Sequence, residues 1–225
     1  MSSKRRFPRI LSLLAAIVIA FLGYQLATSK DAPSLQITFL DVGQGDATFI
    51  RSPDGRTVLI DSGKSGSHIV SLLNDLGVVQ LDLMIASHAD FDHIGGQPDV
   101  ALAFKPKAFI DNGLEHDTQT YQELLTNIKS VGSVVLEASR RSIALGDVYI
   151  ELLPPPLLWD DQNGNSVGVI VRYGAFAALI SGDATDREQD YWIENYPDAF
   201  ANIDVYRSAH HGAGTGDMGM LLGVI

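Results

Sequence analysis

The sequence predicts an α/β fold in which two sheets are faced by helices, and three observations lead there. Short strand-like runs recur from Leu35 to Tyr206, some alternating apolar and polar residues and some apolar throughout. They are grouped as hairpins, then strand–helix alternation, then hairpins again. The 225 residues, 46% of them hydrophobic, suit one domain with a substantial core, since single domains run to about 250 residues.

Taken in order, Leu35 to Leu40 alternates and reads as a strand, Gly43-Gln44-Gly45-Asp46 as a turn, and Ala47 to Arg51 as a second strand. Ser52-Pro53-Asp54-Gly55-Arg56 is a turn that joins it to a strand at Thr57 to Ile60. Helical spacing predicts a helix over Ser67 to Leu76, ended by Gly77. A strand at Leu81 to Ala86 leads into a loop, and Pro106 to Ile110 is a short strand. Thr118 to Val131 is an amphipathic helix through Tyr121, Leu124, Leu125 and Ile128. Strands follow at Ser133 to Leu136, Arg141 to Leu145 and Val148 to Leu153. After the extended Pro154-Pro155-Pro156 come a hairpin of Val167 to Tyr173 with Ala175 to Ile180, a helix at Thr185 to Tyr196, and a strand at Ile203 to Tyr206. No internal repeat and no second domain are visible.

The loop Ser87-His88-Ala89-Asp90-Phe91-Asp92-His93-Ile94-Gly95-Gly96 concentrates the chemistry. His88, Asp90, Asp92 and His93 fall within six residues, directly after an apolar strand. A buried strand that stops at such a loop presents ligands from a rigid scaffold. Imidazole with carboxylate suits zinc, manganese or iron, and the close spacing lets the side chains address two neighbouring metals. The plainer reading, a helix-capping Asp or Ser beside satisfied histidines, accounts for one Asp but not for two His and two Asp in this order.

On these residues the chain resembles the metallo-β-lactamase superfamily, whose His-x-His-x-Asp-His motif appears here with Asp90 in place of the second His. The variant His-x-Asp-x-Asp-His followed by Ile94-Gly95-Gly96 resembles the hydrolase domain of bacterial DNA-uptake proteins of the ComEC type and their stand-alone relatives. Thr38-Phe39-Leu40-Asp41-Val42-Gly43-Gln44-Gly45-Asp46-Ala47, Leu59-Ile60-Asp61-Ser62-Gly63, Asn163-Gly164-Asn165-Ser166-Val167, Leu179-Ile180-Ser181-Gly182-Asp183 and His210-His211-Gly212 match further motifs in the same order. The resemblance runs from Leu35 to Gly212.

The resemblance implies a four-layer αββα sandwich with mixed sheets and two divalent ions, zinc or manganese. It assigns His88 and Asp90 to the first metal, Asp92 and His93 to the second, and Asp183 to a bridge between them. His210 is its last ligand, with His211 as the alternative; otherwise His211 contacts substrate. Asp92 and Asp183 then carry the catalysis, a water-derived hydroxide between two metals attacking the substrate. Asp61 orients a ligand from behind without binding metal. Asn165 and Ser166 either contact a phosphate oxygen or form a polar turn. Asp46 lies either on the site's rim or in a turn. The broader superfamily has a further His between these motifs; His116 is the one candidate, and the ComEC-like pattern does not require it. His68 reads as a surface residue.

The first thirty residues hold five of the sixteen Lys and Arg and none of the 27 acids, leaving 11 bases against 27 acids and a net charge of −16 for the remainder. Such a surface has no electrostatic grip on long DNA. Without cysteine there are no disulfides, thiolate ligands or lipid-modified cysteine. Lys4, Arg5, Arg6 and Arg9 precede an uncharged stretch from Ile10 to Ser29. This divides the chain into a signal peptide or signal anchor at 1–30 and a hydrolase domain at 31–225, secreted or held by the membrane outside the cytoplasm. Ala27-Thr28-Ser29 would serve as the cleavage site.

The expected activity is phosphodiester hydrolysis, with extracellular DNA as a candidate substrate and no protein partner identifiable. Amide or ester hydrolysis, including of β-lactams, is the enzymatic alternative, disfavoured by Asp90. The chain ends thirteen residues after Gly212, where the subfamily continues with more strands. A truncated, inactive relative is therefore the third reading.

Overall fold

A computed structural model of the chain describes residues 18, 34–157, 161–214, 216 and 221–225. Chain contacts separate Met1–Ser34 from Leu35–Ile225, and the fold described here is that of the second unit. The signal or anchor expected at 1–30 lies outside the described residues except for Val18. Among the described residues no helix is long and apolar enough to cross a membrane.

The expected α/β fold with two sheets is present. The first sheet has six strands in sequential order: β1 (Gln36–Phe39), β2 (Thr48–Arg51), β3 (Thr57–Ile60), β4 (Leu83–Ile85), β5 (Ala108–Ile110) and β6 (Val134–Leu136). Its first two pairings are antiparallel and its last three parallel. The second sheet runs β11 (Val205–Arg207), β10 (Phe176–Ile180), β9 (Gly168–Tyr173), β8 (Val148–Leu153), β7 (Arg141–Leu145), with only β10–β11 parallel. The helices are α1 (Gly66–Asp75), α2 (Phe91–Ile94), α3 (Gln97–Phe104), α4 (Gln119–Ser130) and α5 (Asp186–Asn195).

The two-residue period of the strands builds four layers. Ile50, Val58, Ile60, Leu83, Ile85 and Ile110 face the second sheet, meeting Ile150, Leu152, Val169, Val171, Ala178 and Ile180. Their neighbours Phe49, Leu59, Met84 and Phe109 point the other way, against Ile69 and Leu73 of α1, Phe104 of α3 and Leu124 and Ile128 of α4. On the outer face of the second sheet, Ile170, Ala177 and Leu179 pack on Trp192 of α5, with Phe200 and Leu221. Strands buried on both faces must be apolar throughout, which is why β3 and β4 carry no polar side-chain alternation. Trp192 is fully buried and its indole N–H donates to Pro154 O at 2.9 Å. Its truncation to Ala would cost about 3–5 kcal/mol.

Two elements differ from the sequence reading. Helix α2 lies within the stretch read as a loop, and α3 lies in a stretch to which the sequence assigned no element. In α3, Gln97, Pro98, Val100, Ala101 and Phe104 form the buried face while the exposed face carries Leu102 and Ala103 beside Asp99, so no polar stripe marks a helical period. Pro98 sits in its first turn, where a missing N–H costs nothing. The parallel strands β3, β4, β5, β10 and β11 all end at segments carrying His, Asp or Asn, and a crevice outside carboxyl strand ends is the usual ligand position in such sheets.

Candidate metal centre

The centre is built from four strand ends. Asp61 follows β3 directly and adopts a left-handed backbone (φ 56°), a conformation costly for a non-glycine residue and concentrated at functional sites. Its N–H donates to Ile85 O at 2.9 Å, tying it to β4. Its carboxylate then accepts three bonds: from Ser87 N at 2.8 Å, from Ser87 Oγ at 2.7 Å, and from His93 Nδ1 at 2.9 Å. A carboxylate behind Nδ1 fixes the tautomer and turns the Nε2 lone pair away from it. His93 Nε2 accordingly faces Asp183 Oδ2 at 3.2 Å. The second histidine is held through the same serine, His88 Nδ1 lying 3.0 Å from Ser87 Oγ. The two imidazoles stand 4.1 Å apart between centroids.

Asp183 reaches this point from β10 through Gly182, whose φ of 58° suits glycine. A Cβ on Gly182 would meet Ser87 Cβ at 2.7 Å. From β11, His210 N donates to Gly182 O at 3.1 Å, and both His210 and His211 have positive φ (48° and 55°). That reversal carries His211 Nε2 to 3.4 Å from Asp183 Oδ2 and 3.6 Å from Asp92 Oδ2. His210 Nε2 is 3.9 Å from Asp183 Oδ2.

Among the described residues four overlapping sets of donor atoms converge, each within 4.8 Å: His88, His93 and Asp183; Asp92, His93 and His211; Asp46, Asp61 and His93; and Asp46, Asp183 and His211. The buried atoms His88 Nε2, His93 Nε2 and Asp183 Oδ1 have no hydrogen-bond partner among the described residues. Buried polar atoms are ordinarily paired, so three residues that each keep an unpaired buried atom and bring ligand atoms within 4.8 Å of one another form the arrangement a divalent cation completes. Imidazole plus carboxylate is a donor set for zinc, manganese or iron. The residues therefore fit the metal that the sequence implies.

Charge distribution agrees with this. Burial disfavours a charged His93, but the carboxylates of Asp61 and Asp183 outweigh it and raise its pKa to about 10. Burial pushes the Asp183 carboxyl up, and the His93 imidazole more than offsets it, leaving the pKa lowered. Burial lowers His211 against the pull of Asp183. The His88 imidazole holds Asp90 down. A cation at Nε2 would take the place of the His93 proton, so binding would release protons.

The remaining sequence candidates are placed as follows. Asp90 Oδ2 lies 3.6 Å from His88 Nε2 with 42% of its side chain exposed, on the outer side of the cluster. Asn165 and Ser166 are wholly buried. Asn165 Nδ2 donates to Asp161 O at 2.8 Å, Ser166 Oγ to Asn163 O at 3.1 Å, and Ser166 N to Glu188 at 3.1 Å. This turn backs the metal loop, since Val167 N donates to Ser87 O at 2.8 Å. His116 is half-buried and bonded to Thr118 Oγ1 at 3.0 Å. His68 Nε2 lies 2.8 Å from Asp41 O.

Three participants had no role in the sequence reading. Ser87 links Asp61 to both histidines. Glu188 supports the Asn165 turn. Arg207 forms an ion pair with buried Asp46, joining the β1–β2 turn to the end of β11. Their partners lie far away in sequence, and the one available signal is a lone cation three residues before a double His.

Residues 40–209 match the Metallo-beta-lactamase superfamily. The chain is 27% identical over 202 residues to ComE operon protein 3 of Bacillus subtilis, an alignment that covers 79% of this chain and 25% of that protein. It is 27% identical over 224 residues to Competence protein ComA of Neisseria gonorrhoeae, covering 97% of this chain and 30% of the other. The chain thus spans a quarter to a third of the length of these relatives. Among solved structures, a metallo-β-lactamase from Staphylococcus aureus superposes with a TM-score of 0.54 at 14% identity, over 81% of this chain and 58% of that one.

Proposed function

Since the chain belongs to the metallo-β-lactamase superfamily, we propose that it is a metal-dependent hydrolase of phosphodiesters working with two divalent ions, zinc or manganese. The observation that carries this reading is that His88, His93 and Asp183, each with an unpaired buried polar atom, bring ligand atoms within 4.8 Å of one another. Ions bound there supply Lewis acidity and make water nucleophilic at neutral pH.

The chain's own residues prepare the rest. Asp61 and Ser87 hold the two imidazoles with Nε2 forward before any ion arrives, so little reorganisation is needed. Asp183 lies within 3.4 Å of both His93 and His211, between the first-sheet and second-sheet donors, as a shared ligand must. Asp92 is more open than His93 or Asp183 and lies beside His211. Its proposed roles are ligand, beside His93 and His211, and acceptor of a proton from water during attack. His210, His211, Asn165 and Ser166 complete the proposed set: His210 as the outer ligand, His211 as ligand or substrate contact, and the Asn165–Ser166 turn as the support behind the metal loop.

Similarity to proteins named for competence supports DNA as substrate. The basic, then uncharged N-terminal sequence supports a setting outside the cytoplasmic membrane, anchored or released.

The test is hydrolysis of bis(p-nitrophenyl) phosphate by the full chain with manganese or zinc, beside Asp92→Ala. Turnover that requires metal and vanishes in the variant is the expected result. A folded, metal-loaded protein that leaves the diester intact while opening a β-lactam would overturn the phosphodiester assignment in favour of amide hydrolysis.

A further inference from the structure

Beside the metal loop lies a cleft of about 300 Å³ lined by Ala89, Asp90, Phe91, His116, Thr118 and Thr120. Phe91 opens α2 between Asp90 and Asp92 and is 56% exposed. Large side chains elsewhere in this loop are buried, Ile94 completely. His116 forms part of the wall, its ring held by the 3.0 Å contact to Thr118 Oγ1 and an edge-on approach to Tyr121 at 6.2 Å between centroids. Asp90 joins the cleft to the metal centre, because it lines the one and lies 3.6 Å from His88 Nε2 in the other. An open aromatic face, a fixed imidazole and two threonine positions thus stand immediately next to the proposed reacting centre.

We propose that this cleft is a nucleobase subsite, in which Phe91 stacks on the base of a nucleotide whose phosphodiester lies at the metal centre and His116 meets the base edge. The proposal rests on the phosphodiesterase reading and narrows its substrate class to nucleoside diesters. Charge also points to a base contact. With −16 on residues 31–225, neutralisation of phosphates cannot supply the affinity that nucleic-acid binding usually draws from basic surface. Stacking on aromatic rings is the other general source, and it is available only when bases are unpaired. The preferred substrates are therefore single strands or frayed ends, not intact duplex.

Two diesters with the same leaving group test this: thymidine 5′-(p-nitrophenyl phosphate) and methyl p-nitrophenyl phosphate, hydrolysed by the full chain with manganese. The wild-type protein should favour the thymidine diester in kcat/KM. Phe91→Ala should cut that preference about tenfold, chiefly through KM, and Phe91→Trp should restore it. A preference unmoved by Phe91→Ala in a folded protein would overturn the subsite. If the wild type cleaves neither diester, the phosphodiesterase reading has failed by itself. The subsite is then judged by calorimetric binding of a thymidine tetranucleotide in the presence of EDTA. Binding that weakens about tenfold in Phe91→Ala and returns in Phe91→Trp upholds it, whereas absent or unchanged binding overturns it.

Discussion

The two walls of the candidate metal centre are built to different standards. On the first-sheet side, His88 and His93 are 1% and 0% exposed, and one carboxylate, Asp61, reaches both through Ser87 or directly. On the second-sheet side, His210 and His211 have side chains 30% and 28% exposed and rest on a backbone held at positive φ. The first wall is a preset half-site whose geometry is part of the core. The second can yield, because its histidines are anchored by a short strand at a sheet edge. A rigid half-site favours metal affinity, and an adjustable one favours accommodation of a substrate between the two.

The largest effect should come from removing the keystone of the rigid wall. Asp61→Ala leaves Ser87 N, Ser87 Oγ and His93 Nδ1 without their acceptor in a buried site, which should cost about 3–5 kcal/mol of stability by urea unfolding. Zinc affinity should also fall by about 10–100-fold in a competition titration. A milder loss than that of His211→Ala would reverse the ranking of the walls.

Gly182→Ala strikes the seam between them. The added Cβ meets Ser87 and requires positive φ, so a loss of about 1–3 kcal/mol is expected by thermal unfolding. Gly174→Ala is a control of equal backbone strain with open space around it, and it should cost less.

The smallest effect lies in the turn behind the loop of the first wall. Burial holds the carboxyl of Glu188 well above its ordinary 4.5, and the bond from Ser166 N only partly opposes this. Above that ordinary value the folded state keeps a proton that the unfolded state releases, so stability falls as pH rises. Below it the shift contributes nothing. Glu188→Gln keeps an acceptor for Ser166 N and cannot ionise. Calorimetry should find its melting temperature gaining on the wild type from pH 5 to pH 8, with the gap closing towards pH 5.

Much of this was legible in the chain. Strands such as Thr57–Ile60 and Val148–Leu153 could be bounded by turn residues at Gly55 and by the triple proline. The donor cluster was legible because four of its members are nearly contiguous. What lay hidden has a physical pattern. Helix α3 buries the polar Gln97 and exposes the apolar Leu102 and Ala103, so its sequence shows no amphipathic period. Ser87 and Glu188 act through bonds to residues 26 and 22 positions away, which leave no local mark. His210 and His211 are adjacent, and only the chain reversal that puts His211 against Asp92 tells their positions apart.

On this reading the preset first-sheet half-site holds a divalent ion. The most direct measurement is isothermal titration of the full chain with manganese and zinc, for the wild type, His93→Ala and His211→Ala. The wild type should bind two ions, His93→Ala should abolish the tightest event, and His211→Ala should only weaken the second. A folded wild type that binds no ion, or a His93→Ala variant that binds as the wild type does, would contradict this reading.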